Sequence, residues 1–322
     1  MNDIPMHETS LEAARKAAAR AKRVRMAGHL GVSVLRFILL FGISFVILYP
    51  IFSIICGSFM SLDDLVDITV KYFPKHFTLQ NYADAATALG MPDTMVRSLA
   101  IFLLTSALQV ISCTMVGYGL ARFRFKLNGL VFVCVIIQLL IPPDTIMLTR
   151  FISFRYFTGF GLLPLLGLEP LNLTASALPL YILGATCTGL KNGLFIFILR
   201  QYFKGLPKSL EEAAYVDGCS PLRAFASIML PGARTMMVTV FLFSFVWLWT
   251  DMTIAPALTK SNILVNMIYM LQGILYDNSG GLRVSLLKNA GIMLIILPVI
   301  LVYLLCQRAF VQGIESSGLT GT

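Results

Sequence analysis

The sequence predicts an all-α, polytopic membrane protein with six transmembrane helices and both termini in the cytoplasm. Three observations predict it. Of 322 residues, 57% are apolar and only 13% charged, whereas a soluble domain carries about 25% charged residues. Six apolar runs are long enough to cross a bilayer, and lysine and arginine gather on alternate loops. Within hydrocarbon every backbone polar group needs a partner inside the protein, so only helices and closed barrels span. Runs of about 20 apolar residues suit a helix rising about 1.5 Å per residue and exclude barrel strands.

The first run extends from about Phe37 to Phe59 and the second from about Ser98 to Ala121, each bounded by charge or polar loop. The third covers about Gly129 to Leu148. The fourth lies within Leu173 to Arg200 and starts near Pro179, a residue tolerated in a first helical turn. The fifth, Ala233 to about Leu258, carries both tryptophans. The sixth is about Val284 to Gln307, with Lys288 in its first turns.

Short basic loops stay on the cytoplasmic side. Arg15, Lys16, Arg20, Lys22, Arg23, Arg25 and Arg36 precede the first run, Arg122, Arg124 and Lys126 follow the second, and Lys204, Lys208, Arg223 and Arg234 follow the fourth. The opposite loops hold Asp63, Asp64, Asp67, Asp84, Asp93, Glu169 and Asp277, diluted by Lys71, Lys75, Arg150, Arg155 and Lys260. The net charge of +9 follows this topology and forms no single patch, which argues against nucleic acid. The Ala-rich, basic stretch Leu11 to Arg25 suits either a helix lying on anionic lipid or a frayed tail. No cleavable signal peptide is visible, so the first run is expected to remain as an anchor. Six scattered cysteines without paired short spacing support neither a disulfide framework nor a metal site.

The loop between the fourth and fifth runs reads as two short helices. Pro207 suits a first turn, Leu210 to Val216 is rich in helix formers, and Gly218 stands where a glycine ends a helix in the left-handed conformation. Ser220 and Pro221 then form a cap and a first-position proline. Leu222, Phe225, Ala226 and Met229 share one face of the second helix, and Pro231 is expected to end it. Ser209 and Glu212 have capping-box spacing, so Glu212 is open to two readings, a helix cap or a contact with another protein.

Glu212, Ala213 and Ala214, then Gly218 after three residues, then Ile228, Leu230 and Pro231 after nine more, resemble the EAA loop of ABC-importer permeases. The resemblance reaches nearly the whole chain and is to the carbohydrate-uptake branch, in the form of the maltose-type permeases. Phe77, Thr78, Leu79, Asn81 and Tyr82 resemble its first outside loop, and Gly119 to Phe123 the end of its second span. Pro142 and Pro143 fit a broken third span, Arg200 to Phe203 and Pro207 the approach to the loop, Trp249 and Asp251 the end of span five, and Phe310, Val311 and Gly313 the tail. Thr250 and the ending Ile314 to Thr322 depart from the pattern.

The resemblance implies a multi-pass protein of the bacterial plasma membrane that is a transport subunit and not an enzyme. Residues 1–36 would be a cytoplasmic tail, 37–310 the permease domain with its ATPase-docking loop at 205–232, and 311–322 a second cytoplasmic tail. Its implied partners are a second homologous permease subunit, an ABC ATPase dimer, an extracytoplasmic sugar-binding protein and membrane lipid. No cofactor is expected in this chain, since ATP and Mg would be bound by the ATPase.

Ionisable residues within spans are costly and face the bundle interior or water. Lys191 has two equal readings: it lines a substrate path, or it pairs with a neighbour and holds helices together. Gln138, Asn192, Ser244, Trp247 and Asp251 are further path candidates. Trp247 and Trp249 suit sugar faces and also suit interfacial anchors. The alternative from another class is an ion-gradient-driven secondary transporter, which would need midplane ion sites, whereas Asp144 and Asp251 lie near span ends.

Overall fold

A computed structural model describes residues 5–174, 176–259 and 282–319, with side chains described within 31–174, 176–259 and 283–313. Lys260, Asp277 and the basic side chains of the N-terminal stretch up to Arg25 lie outside this description. The described chain is helical. Its β content is one isolated bridge between Phe157 and Leu171.

Helix α1, Pro5–Ser58, runs unbroken for 54 residues, about 80 Å, through the whole predicted first span. From residue 31 to Phe52 its large apolar side chains are exposed, as a hydrocarbon-facing surface would be. Its last turn is held by the loop that follows. Asn81 Nδ2 donates to the carbonyls of Ser58 (3.0 Å) and Met60 (2.8 Å), the hydroxyls of Tyr82 and Ser58 lie 2.7 Å apart, and Phe77 stacks on Phe59 at 4.7 Å. The Phe77–Tyr82 motif therefore folds the chain back onto the end of α1. Between them stands α2, Leu62–Val66, and the motif runs into α3, Gln80–Ala88.

Helix α4, Asp93–Arg122, is the axis of the bundle and packs against the helices of the fourth and fifth spans. Its buried face carries Ser98, Thr105, Ser106, Gln109, Cys113, Thr114, Gly117 and Tyr118. Lipid is as apolar as leucine, so helices in a membrane associate through small and polar side chains of this kind. A Cβ on Gly117 would stand 3.0 Å from Leu199 Cβ.

The third predicted span does not run on to Leu148. Helix α5, Asn128–Leu140, stops before Pro142 and Pro143. A 3₁₀ turn, Pro143–Ile146, and α6, Met147–Arg155, then leave at 100°, because each proline lacks a donor N–H and disfavours helix in the residue before it. After the four-residue α7, Leu162–Leu165, the fourth predicted span is likewise two pieces, α8, Leu178–Ala185, and α9, Asn192–Gly205. The loop helices are α10, Ser209–Val216, α11, Pro221–Ala224, a π segment, Phe225–Met229, and α12, Leu230–Gly232. Pro231 does not end the loop. It occupies the first turn of α12, and the chain bends by 72° into α13, Arg234–Trp249.

The fifth span was expected to reach Leu258 but ends at Trp249, followed by α14, Ile254–Leu258. Asp251 then starts α14 by accepting the N–H groups of Thr253, Ile254 and Ala255. Helix α15, Leu282–Leu319, contains the sixth predicted span and packs against α13 and α1. Among the described residues three helices are long and apolar enough to cross a membrane, or up to five spans if each bent pair counts once. Trp249 is not an interfacial anchor: it is 3% exposed, and its Nε1 donates to the Ile295 carbonyl at 3.1 Å.

A Cβ on Gly193 would meet the Val135 carbonyl oxygen at 2.8 Å, which forces α5 and α9 apart. Gly193→Ala is expected to destabilise the purified protein by about 1–3 kcal/mol, read as a lower thermal midpoint in detergent. Gly42→Ala, with nothing within 4 Å, is expected to leave the midpoint unchanged.

Candidate functional site

Two places combine irregular backbone with polar chemistry. The first is the loop α10–α12. Its turn is a paired C-terminal cap: the Cys219 N–H reaches the Ala214 carbonyl (2.9 Å), the Gly218 N–H reaches that of Tyr215 (3.0 Å), and Gly218 takes φ +80°. Only glycine adopts that conformation without strain. Ser220 Oγ then accepts the Arg223 N–H and starts α11 with Pro221 at its first position.

The seven motif residues divide by exposure. Ala214 is buried and Ile228 and Leu230 are half-buried, which holds the loop on the bundle, while Glu212, Ala213, Gly218 and Pro231 face outward. Glu212 is not a capping residue. Helix α10 begins after Lys208 with no side-chain cap, and Ser209 lies inside it. Two outward residues went unrecognised in the sequence: Val216 is 88% exposed and Leu222 77%. Leu222 was expected to share a face with Met229, but the π segment shifts the register, and Met229 is buried.

The loop is clamped to α4 through Glu211, the neighbour of the motif glutamate. Tyr118 Oη donates to Glu211 Oε1 at 2.8 Å, and Arg122 Nε lies 3.4 Å from Glu211 Oε2. Arg122 also donates to the Leu206 carbonyl at 2.9 Å, and Phe225 packs on the Tyr118 ring at 4.5 Å. On the far side Tyr202 Oη donates to the Gly232 carbonyl at 2.7 Å. Glu211 carried no sequence signal beyond its place beside the motif. A cleft of about 670 Å³ opens here, lined by Arg122, Arg124, Arg200, Lys204 and Lys208 with Glu211 and Glu212.

The second place is a cavity of about 210 Å³ where the breaks of α5–α6 and α8–α9 meet. Cys187 (φ +58°) and Lys191 (φ +60°) hold the α8–α9 break in a left-handed backbone, which costs about 1–3 kcal/mol for each non-glycine residue. Its carbonyls are taken up one by one. Gln138 Nε2 bonds that of Cys187 (2.8 Å), Arg150 that of Thr188, Gln109 Nε2 that of Leu190 (3.1 Å), and Ser112 Oγ that of Gly184 (2.6 Å). Gln109 also donates to Asn192 Oδ1 and accepts from Ser244 Oγ.

Gln138, Lys191 and Asn192 therefore meet at this cavity. Trp247 adjoins it, since its ring lies 5.9 Å from Lys191 Nζ. Ser244 is one hydrogen bond removed, through Gln109, and Asp251 is occupied at the start of α14. Gln109 and Arg150 were missed as site residues: one glutamine inside an apolar run has no local pattern, and Arg150 reads from sequence as a loop charge. Among the described residues no cluster of three or more His, Cys, Asp or Glu is placed to hold a metal.

The family described as the inner membrane component of binding-protein-dependent transport systems matches residues 113–316. The probable starch degradation products transport system permease protein AmyC of Thermoanaerobacterium thermosulfurigenes is 28% identical over 268 residues, covering 82% of this chain and 89% of that protein. The arabinooligosaccharides transport system permease protein AraQ of Bacillus subtilis is 26% identical over 284 residues, covering 87% and 92%. A chain in the crystal structure of a bacterial ABC transporter involved in the import of the acidic polysaccharide alginate shares the fold, with a TM-score of 0.64 and 21% identity over 86% of this chain and 96% of that one.

Removing the carboxylate at Glu211 leaves Arg122, whose side chain is 6% exposed, without its ionic partner. Glu211→Ala is expected to cost about 3–5 kcal/mol and to speed proteolysis and amide exchange in 205–232. Glu212→Ala is expected to leave both unchanged.

Proposed function

Because the chain belongs to the family of inner membrane components of binding-protein-dependent transport systems, we propose that it is one half of the transmembrane path of an ATP-driven importer for a sugar or oligosaccharide. The carbohydrate reading draws on relatives named for starch products and arabinooligosaccharides. A second homologous permease subunit completes the path, an ABC ATPase dimer that carries ATP and Mg docks beneath, and an extracytoplasmic binding protein delivers the sugar. The ion-gradient alternative gains nothing from this membership.

The observation that carries the reading is the bared loop. A rigid helix, glycine and helix element, tied to α4 on one side and α9 on the other, presents Glu212, Ala213, Val216 and Leu222 outward. Exposed apolar side chains of this size on a polar loop suit a partner protein. Six spans and two cytoplasmic termini follow in this proposal if α8 and α9 together make one broken span. The contact of the basic turn Arg122–Lys126 with α10 supports it, because it sets both basic loops at one end of the bundle. The Arg283–Asp84 ion pair brings two opposite loops together at the other.

Closure of the ATPase dimer would press on α10 to α12. The push passes to α4 through Glu211, Tyr118 and Arg122, and to α9 through Tyr202. Stiff helices answer by rigid-body rotation, which changes access to the cavity where Gln138, Lys191, Asn192 and Trp247 stand, with Ser244 behind Gln109. Asp251 contributes by fixing the turn from α13 into α14.

Val216→Asp with Leu222→Asp is expected to leave the chain in the membrane and to lose copurification of the ATPase. Glu212→Lys and Gly218→Val are expected to reduce ATP-dependent uptake in vesicles to background, the latter because valine at φ +80° is strained. Full uptake by all of these variants would refute the docking role.

A further inference from the structure

We propose that the cavity at the two helix breaks binds an anionic group, the carboxylate of an acidic saccharide, between Lys191 and Arg150. This deepens the importer reading above and rests on it.

Four observations carry the proposal. The residues lining the cavity include two cations, Lys191 and Arg150, and no acid. The Lys191 ammonium bears no hydrogen bond among the described residues and lies 5.9 Å from the Trp247 ring. The guanidinium of Arg150 donates one N–H to the Thr188 carbonyl, and its planar fork has further donors, five in all. Asn192 is fully buried, lines the same cavity, and has an Nδ2 without a partner among the described residues.

The backbone adds to the same field. Helix α9, 14 residues long, starts at Asn192 and turns its N-terminal end to the cavity. The partial positive charge there favours an anion. Transporters built on broken helices use half-helix N-termini in this way. Broken backbone at membrane depth must be enclosed by protein or line a water-filled space, and a cavity facing the path meets that requirement. Its volume, about 210 Å³, is small beside pockets of about 300–1,000 Å³ that enclose a whole small molecule. It suits one acidic group and part of a ring, with the remaining saccharide against the second subunit. An ammonium and a guanidinium bind a carboxylate through charge-assisted hydrogen bonds, and the Trp247 ring supplies an apolar face beside them.

The test uses the complete importer, with its second permease, ATPase and binding protein, reconstituted in proteoliposomes. Vesicles are given ATP and a mixture of neutral and uronate-containing starch, plant and algal oligosaccharides, and trapped sugars are identified by mass spectrometry. Uronate-containing sugars are expected among those trapped. Lys191→Gln is expected to lower their uptake about tenfold or more, as loss of one charge-assisted hydrogen bond would, with little effect on any neutral sugar carried, and Lys191→Arg to restore most of it. Arg150→Lys, which keeps the charge and loses the fork, is expected to lower acidic uptake selectively. Trapping of neutral sugars only would overturn the carboxylate site and leave the importer reading standing. Unchanged acidic uptake in Lys191→Gln would also overturn the site. Equal loss of all sugars, or loss of the second permease from the complex, would overturn it in favour of an ion pair between subunits. Absence of ATP-dependent uptake of any sugar would overturn the importer reading itself.

Discussion

The rest of the structure depends on how the open backbone between α8 and α9 is satisfied. A helix that stops at membrane depth releases carbonyls that hydrocarbon cannot hydrate, and each one left bare is expensive. Here α4 supplies Gln109 and Ser112, α5 supplies Gln138, and α6 supplies Arg150. Three elements are thereby fixed around one gap. The break is a tie between helices as well as an interruption in one of them, and the polar side chains it requires give the adjoining cavity a polar wall.

The second tie lies at the C-terminal end of α4, beyond Gln109 and Ser112. Tyr118 and Arg122 hold Glu211, so α10 cannot shift without shifting α4. The same helix carries Gln109, bonded to Asn192 and Ser244. One 30-residue helix thus touches both the outward-facing loop and the cavity. In the proposed importer this gives a contiguous physical route between docking and access, made of a stiff element hydrogen-bonded at its middle and at its C-terminal end, in the class of rigid-body transitions.

Much of this was legible in the chain. The apolar runs named every long helix, the prolines at 142 and 143 marked the break of the third span, and Gly218 with Ser220 and Pro221 marked the turn of the loop, each through short-range backbone chemistry. The misreadings were of a different kind. A strong apolar run hid the break at residues 186–191, because hydropathy averages over a gap held open by two non-glycine left-handed residues. The capping-box spacing of Ser209 and Glu212 was not used, since α10 begins after Lys208. Trp249 suited a sugar face or an interfacial anchor and proved to be core, because its partner, the Ile295 carbonyl, lies on another helix.

By itself the sequence determined the membrane class, the positions of the long helices and the turn of the loop, since composition and the conformational limits of Pro and Gly act over a few residues. Only the tertiary structure decided that Glu211 clamps the loop while Glu212 faces outward, that Val216 and Leu222 are bared, and that Arg150 stands with Lys191 at one cavity. These depend on which helix faces pack together, and so on contacts between residues tens of positions apart, which no local pattern encodes.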